Sequence, residues 1–336
     1  MKAVVCERPM ELGVQNIPAP IRAPGEVLLR MRRIGLCGTD YHIFAGNQPY
    51  LSYPRVMGHE LAAEVVEADH GSPLTAGQVV TLNPYLACGR CIACRKGKPN
   101  CCTAIEVLGV HRDGGMCEFL AVPESAVIPV GSLDLDQAAM VEFLSVGAHA
   151  VRRGETAPGD RALVVGAGPI GIAVALFARA AGADVTLIDT SARRLAYARD
   201  SIGIGRTVIV DDRLDEILSA LTDGDFFDLV FDATGNAKAM ARGFDFVAHG
   251  GSYVLVSIVK QNISFADPEF HKREMRLIGS RNATHDDFRA VIAAIERGDI
   301  PTDAIKTHTF PIEESPLRLP ELIAGQDSVL KAIAIV

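Results

Sequence analysis

The sequence predicts a two-domain α/β protein, a β-rich half followed by a doubly wound parallel sheet. Three observations carry that expectation. A chain of 336 residues is long for a single core and suggests two. Its texture changes near Leu144, from short strands broken by Pro, Gly and Asp clusters to strands alternating with helical stretches. All eight cysteines fall in the first part, seven of them beyond the opening strand: Cys37, Cys88, Cys91, Cys94, Cys101, Cys102 and Cys117.

Taken in order, 27–32, 61–67, 78–82 and 117–122 read as strands of an irregular antiparallel β domain. Helical periodicity begins at 141–153. Strands are then expected at 162–165, 185–188, 207–210, 228–232, 252–257 and 276–279, with helices between most of them, such as 192–201 and 237–247. That alternation implies a parallel sheet covered on both faces. From about Phe310 the texture returns to irregular and strand-like, and KAIAIV reads as a final strand rejoining the first domain. The domains are therefore expected at 1–145 and 146–285, with 286–336 returning to the first. No fixed-period repeat or low-complexity segment is present.

Composition excludes several classes of function. Apolar residues make up 49% of the chain and charged ones 22%, an ordinary globular balance, and the net charge of −8 argues against a nucleic-acid partner. The opening MKAVVCERPM has no apolar leader, and the apolar run 170–181 is interrupted by Gly and Arg and too short for a bilayer, so no membrane association and a cytoplasmic location are expected. In a reducing compartment, clustered cysteines read as metal ligands rather than disulfides.

RALVVGAGPIG places Gly166, Gly168 and Gly171, with Pro169 and Ile170 between them, after a buried strand and at the start of a helix. The glycines permit a tight turn, close approach of a pyrophosphate, and close packing of helix on strand. The phosphates would then sit at the positive end of the helix. An ordinary strand–helix turn can carry glycines too, but here Asp189 ends the next strand, where a carboxylate can accept both ribose hydroxyls. That carboxylate would repel the extra phosphate of NADP, so NAD is expected. Arg193 and Arg194 argue the other way unless they form a solvated face, with Arg194 over the adenine. Ser257 and Ile258, at the end of the fifth expected strand, are counted with the cofactor site.

CGRCIACRKGKPNCC supplies Cys88, Cys91, Cys94 and Cys102, four thiolates on one loop that suit a closed tetrahedral zinc; Cys101 is the spare neighbour. A redox pair or a nucleic-acid zinc knuckle needs no such set in an acidic chain of this length. A second set is dispersed: Cys37 in GLCGTDYH, His59 and Glu60 in GHE, and Glu142 in VEFLSVGAH. Singly these are a core cysteine, a structural histidine and surface acids. Together they offer a thiolate, an imidazole and carboxylates, which suits a second, catalytic zinc with an open position.

In their order along the chain, the CGTDxH segment, GHE, the four-cysteine loop and GAGPIG resemble the zinc-dependent medium-chain dehydrogenases, over essentially the whole sequence. Glu142, where other branches carry Cys, is similar to the sorbitol, threonine and sugar-acid branch; Phe143 replaces the usual Pro. The resemblance implies a GroES-like catalytic domain and a Rossmann domain with the active site between them, and a homodimer or homotetramer. It makes Cys37 and His59 constant zinc ligands and offers Glu60 or Glu142 as the third, Glu60 being favoured in the resting enzyme. It also assigns Thr39 and His42 to a relay that carries the substrate proton by way of the cofactor ribose to solvent, a task suited to an imidazole titrating near neutrality. The zinc would polarise an alcohol whose hydride passes to the nicotinamide.

GNQPYLSYPRVMGHE, IEVLGVHRDGG and DPEFHKREMRLIGSRNAT look like bacterial 5-dehydrogenases of L-galactonate and L-gulonate. A linear sugar acid needs a cation for its carboxylate. Arg281 is the first choice, Lys272 and Arg273 follow, and Glu118 and Asn282 are candidates for its hydroxyls. A polyol such as sorbitol, a sugar alcohol phosphate or L-threonine fits the same machinery. A zinc-free quinone reductase would lack the dispersed ligands, and a non-catalytic, zinc-stabilised NAD sensor would have no use for them.

Overall fold

The computed structural model describes residues 1–48 and 51–336; Pro49 and Tyr50, within the 46–60 segment noted above, lie outside the described residues. The chain forms two compact units, Met1–Phe143 with Thr284–Val336, and Leu144–Ala283.

The first unit is built on β1 (Lys2–Arg8), β2 (Glu11–Asn16), β3 (Glu26–Leu36), β4 (Arg55–Val56), β5 (Glu60–Glu67), β6 (Val79–Leu82), β7 (Tyr85–Leu86), β8 (Glu106–Val107), β9 (Phe119–Pro123) and β10 (Val127–Pro129). The long strand β3 organises it. Val27, Leu29 and Met31 alternate into the core with no exposed surface, the period-two pattern of a strand with one buried face. Glu26–Arg30 pairs with β9, and 28–35 pairs antiparallel with β5 along the opposite edge. The short pair β7–β8 stands apart as a two-stranded ribbon on either side of the four-cysteine loop.

Helix Leu135–Arg153 carries the chain into the second unit and starts six residues before the expected 141, because Leu133 and Ala138–Met140 already bury an apolar face. There follow β11 (Arg161–Val165), β12 (Asp184–Asp189), β13 (Arg206–Ile209), β14 (Phe227–Asp232), β15 (Val247–Leu255) and β16 (Arg276–Gly279). All five pairings are parallel, in the order β13-β12-β11-β14-β15-β16. Renumbered from β11, that order is 3-2-1-4-5-6, the doubly wound dinucleotide-binding arrangement, and the order reverses between β11 and β14. The helix expected at 237–247 stops at Arg242, where a 3-10 turn over Gly243–Phe246 leads into β15. That strand therefore begins at Val247 and ends at Leu255, leaving Ser257 and Ile258 beyond it.

The tail differs most from expectation. It contains helices His285–Glu296 and Ser315–Ala324 before and after β17 (Lys306–Pro311), and ends in β18 (Lys331–Ile335). Ser315–Ala324 holds both Pro316 and Pro320, which hide a helix from sequence patterning. β18 pairs antiparallel with β3 and parallel with β17, so the first unit's main sheet runs β10-β6-β5-β3-β18-β17 and is mixed rather than purely antiparallel.

Candidate metal and cofactor sites

Cys88, Cys91, Cys94 and Cys102 bring four sulfurs to within 4.8 Å of one another, the one such group of metal-ligating atoms among the described residues. Backbone bends place them: one helical turn over Ile92–Arg95 and a 3-10 turn over Pro99–Cys101. Amide N–H groups of Cys88 and Ala104 donate to Cys102 Sγ at 3.3 and 3.4 Å. Backbone N–H groups of Cys94 and Thr103 pull the Cys91 thiol down to about 5, while burial and the neighbouring sulfurs push Cys94 up to about 11. Thiolates crowded this closely call for a cation, and the donor set fits zinc. Cys101 is exposed and outside the group.

The dispersed residues also meet. Cys37 caps helix Gly38–Phe44, where the carboxylate of Asp40 accepts its N–H at 2.9 Å and that of Gly58 at 3.2 Å. Asp40 thereby ties the Cys37 turn to the turn that delivers His59. Cys37 and His59 side chains interact directly. Nδ1 of His59 is buried without a hydrogen-bond partner, 3.9 Å from Asp40. Burial opposes the imidazolium, but Asp40, Cys37 and Glu142 together outweigh it and raise the His59 pKa well above its usual value. That negative potential, with an orphaned imidazole nitrogen at its centre, fits a divalent cation. Burial is also the main cause lifting Glu142 to about 7.

The two carboxylates stand differently. Both oxygens of Glu60 accept from Lys331 Nζ at 2.6 Å, in a pair with no more than 1% exposure on either side. Lys331 also donates to the Leu36 carbonyl at 3.1 Å and lies 4.2 Å from the centre of the Phe143 ring. Gly35, opposite Glu60 in the β3–β5 register, leaves the space that the Glu60 side chain fills; a Cβ there would overlap it. Glu142, 3% exposed, accepts a hydrogen bond from the Tyr85 hydroxyl. The dispersed set, with or without Glu60, does not close to the spacing of the four cysteines. Asp40, Tyr85 and Lys331 were not singled out from the sequence. Only Asp40 left a signal, as the acid three residues after the cap in CGTD.

Thr39 and His42 lie three apart on Gly38–Phe44 and so share a face, Thr39 half-buried and His42 exposed. Glu118 caps the first unit's edge by accepting from the Lys2 N–H at 2.7 Å.

In the second unit the glycine turn has the geometry its spacing predicts. Gly166 adopts φ +103°, and a Cβ on Gly171 would overlap the Gly166 carbonyl oxygen, so helix Pro169–Ala180 packs this closely only with glycine there. Around Gly168, the cap, a Cβ would meet nothing within 4 Å, leaving room for a ligand against the backbone. Asp189 is buried and accepts from the Ala167 and Ser191 N–H groups, both at 2.7 Å, so it braces the turn with the carboxylate proposed to meet the ribose. Ser257 braces the facing loop, donating to Asp232 Oδ1 at 3.2 Å and accepting from the Gly235 N–H at 2.8 Å. Pro169 and Ile170 form the first helical turn and Arg194 is half-buried, whereas Ile258 is 82% exposed. Arg281 is exposed just after β16, beside Asn282 at φ +54°. Lys272 pairs with Glu269, and Arg273 donates to the Asp245 and Val247 carbonyls, which ties it to the fold.

Comparison with known proteins agrees with this geometry. Residues 23–132 match the alcohol dehydrogenase GroES-like domain and residues 169–297 the zinc-binding dehydrogenase family. The chain is 42% identical, over 93% of its length and 92% of the relative's, to L-galactonate-5-dehydrogenase of Escherichia coli K12. The short chain alcohol dehydrogenase rspB of E. coli CFT073, solved with NADH, superposes with a TM-score of 0.93 at 27% identity, covering 100% of this chain and 99% of that one. A zinc-binding dehydrogenase of Sinorhizobium meliloti 1021 bound to NADP gives 0.89 at 26%, with 100% and 99% covered.

Proposed function

The chain belongs to the zinc-binding dehydrogenases with an alcohol dehydrogenase GroES-like domain, of the sorbitol- and threonine-dehydrogenase-like branch, and from that premise we propose that it oxidises one secondary hydroxyl of a linear sugar acid, of the L-gulonate or L-galactonate kind, to the ketone with NAD. It is a zinc-dependent, nicotinamide-using oxidoreductase acting on CH–OH donors. The observation that carries the finer reading is the 42% identity to a sugar-acid 5-dehydrogenase across nearly the full length.

When bound, the zinc would supply Lewis-acid polarisation of the substrate hydroxyl and the nicotinamide would accept the hydride. Cys37, His59 and Glu142 would hold that catalytic metal, because Lys331 already occupies both oxygens of Glu60. Glu60 then acts at one remove, as the buried countercharge behind the site. A second zinc would be held by Cys88, Cys91, Cys94 and Cys102. Thr39 would take the hydroxyl proton and His42, exposed on the same helical face, would release it to solvent. The glycine turn of Gly166, Gly168 and Gly171 would cradle the pyrophosphate at the head of helix Pro169–Ala180. Asp189 favours NAD, since a buried carboxylate beside the ribose disfavours a further phosphate. Arg281 would meet the substrate carboxylate.

The test is NAD reduction measured across L-gulonate, L-galactonate, neutral hexitols and L-threonine. A hexonate is expected to give the highest kcat/KM. A neutral hexitol as the best substrate would remove the carboxylate from the proposal and leave a polyol dehydrogenase.

A further inference from the structure

We propose that Tyr85 is the positioning residue for Glu142, its single phenol hydrogen bond fixing one carboxylate oxygen so that the other is presented to the metal. The inference rests on reading the Cys37–His59–Glu142 cluster as the catalytic zinc site. Its basis is the contrast between two buried acids in one cluster. Glu60 meets an ammonium that takes both oxygens, which neutralises it and holds it back. Glu142 meets a neutral hydroxyl that has one proton to give and gives it to Oε1. An acid held in that way keeps one oxygen free for a metal and has already given up the rotational freedom that would otherwise be lost on binding.

Tyr85 is itself well anchored. Its N–H donates to Asn83 Oδ1 at 3.0 Å, Asn83 is buried, and the Asn83 N–H is bound to the Ala126 carbonyl at 2.8 Å. On its other side Tyr85 pairs with Val107 across the β7–β8 ribbon. Three residues later the chain enters the four-cysteine loop at Cys88. The phenol is therefore placed from a rigid support rather than from a free loop, as orientation of a ligand requires.

The experiment compares zinc release from fully loaded wild-type protein and Tyr85→Phe in excess chelator, followed with a chromogenic zinc indicator. Two phases are expected, one per metal. Loss of an outer partner of a ligand typically costs about 10–100-fold in metal affinity, so the faster phase should accelerate by about that factor in Tyr85→Phe while the four-thiolate phase stays put. Glu142→Gln should show the same fast phase, and adding Tyr85→Phe to it should change the rate by less than about twofold, because Tyr85 acts only through Glu142. A cobalt-loaded catalytic site should shift its visible absorption in Tyr85→Phe. Unchanged release and an unchanged cobalt spectrum overturn the inference, as does a raised KM with unaltered release, which would make Tyr85 a substrate contact. Wild-type protein that binds one zinc per chain instead overturns the two-metal reading beneath it.

Discussion

The four-cysteine loop offers four sulfurs and the cluster around His59 a mixed set of sulfur, nitrogen and oxygen, and the two are held together in opposite ways. The loop gathers its ligands within fourteen positions, from Cys88 to Cys102, and three of its four cysteines are only half-buried. The contacts around its sulfurs come from within the loop itself, among them the amides of Cys88 and Ala104 on Cys102. The cluster draws on residues from Cys37 to Lys331, and its side chains are answered by the protein itself: Asp40 by two amides, Glu60 by Lys331, Glu142 by Tyr85. A site of the first kind would depend on a metal for its shape. One of the second kind is built by the core, whatever it binds.

The contrast predicts its own tests. The largest effect is expected on stripping zinc with a strong chelator. Structural zinc is worth on the order of 10 kcal/mol to a small thiolate module, so residues 88–105 should lose hydrogen-exchange protection while β3 and β5 keep theirs. Loss of protection in both regions alike would erase the distinction.

Next is Lys331→Met, which leaves Glu60 buried without its cation and should destabilise the first unit by about 3–5 kcal/mol in urea unfolding. Restoring neutrality with Glu60→Gln in the same chain should recover most of that loss, whereas the loop's zinc should be held as in the parent. Smallest is Asp40→Asn. It turns one of two amide-accepting oxygens into a donor and should cost about 1–3 kcal/mol, seen as a lower denaturation midpoint with the four-thiolate zinc still in place.

The same contrast explains what the sequence disclosed. Cysteine spacing is local information, so the loop was legible outright. So was the second unit, in which each strand is followed by its own helix and the alternation repeats. The ligand types of the cluster could be named, but not their partners. Lys331 lies 271 positions from Glu60 and, at the head of KAIAIV, reads as an ordinary surface lysine. Tyr85 reads as a turn aromatic between Pro84 and the cysteines. Which acid is free and which is neutralised is decided by these long-range contacts, and no periodicity encodes them. Helix Ser315–Ala324 was masked for a different reason, since two prolines obscured its apolar face.

The strand that carries Lys331 has a consequence for the order in which the molecule can be made. Chains emerge from the ribosome amino-terminus first, at about 5–20 residues per second. Every strand of the parallel sheet, up to β16, has emerged before β18 exists. The nascent protein therefore holds Cys37, His59, Glu60 and Glu142, and every strand of the second unit, but with no cation for Glu60 and only β5, not β18, beside the end of β3. A site whose first ligand is Cys37 is finished only when Lys331, 294 positions later, has been added.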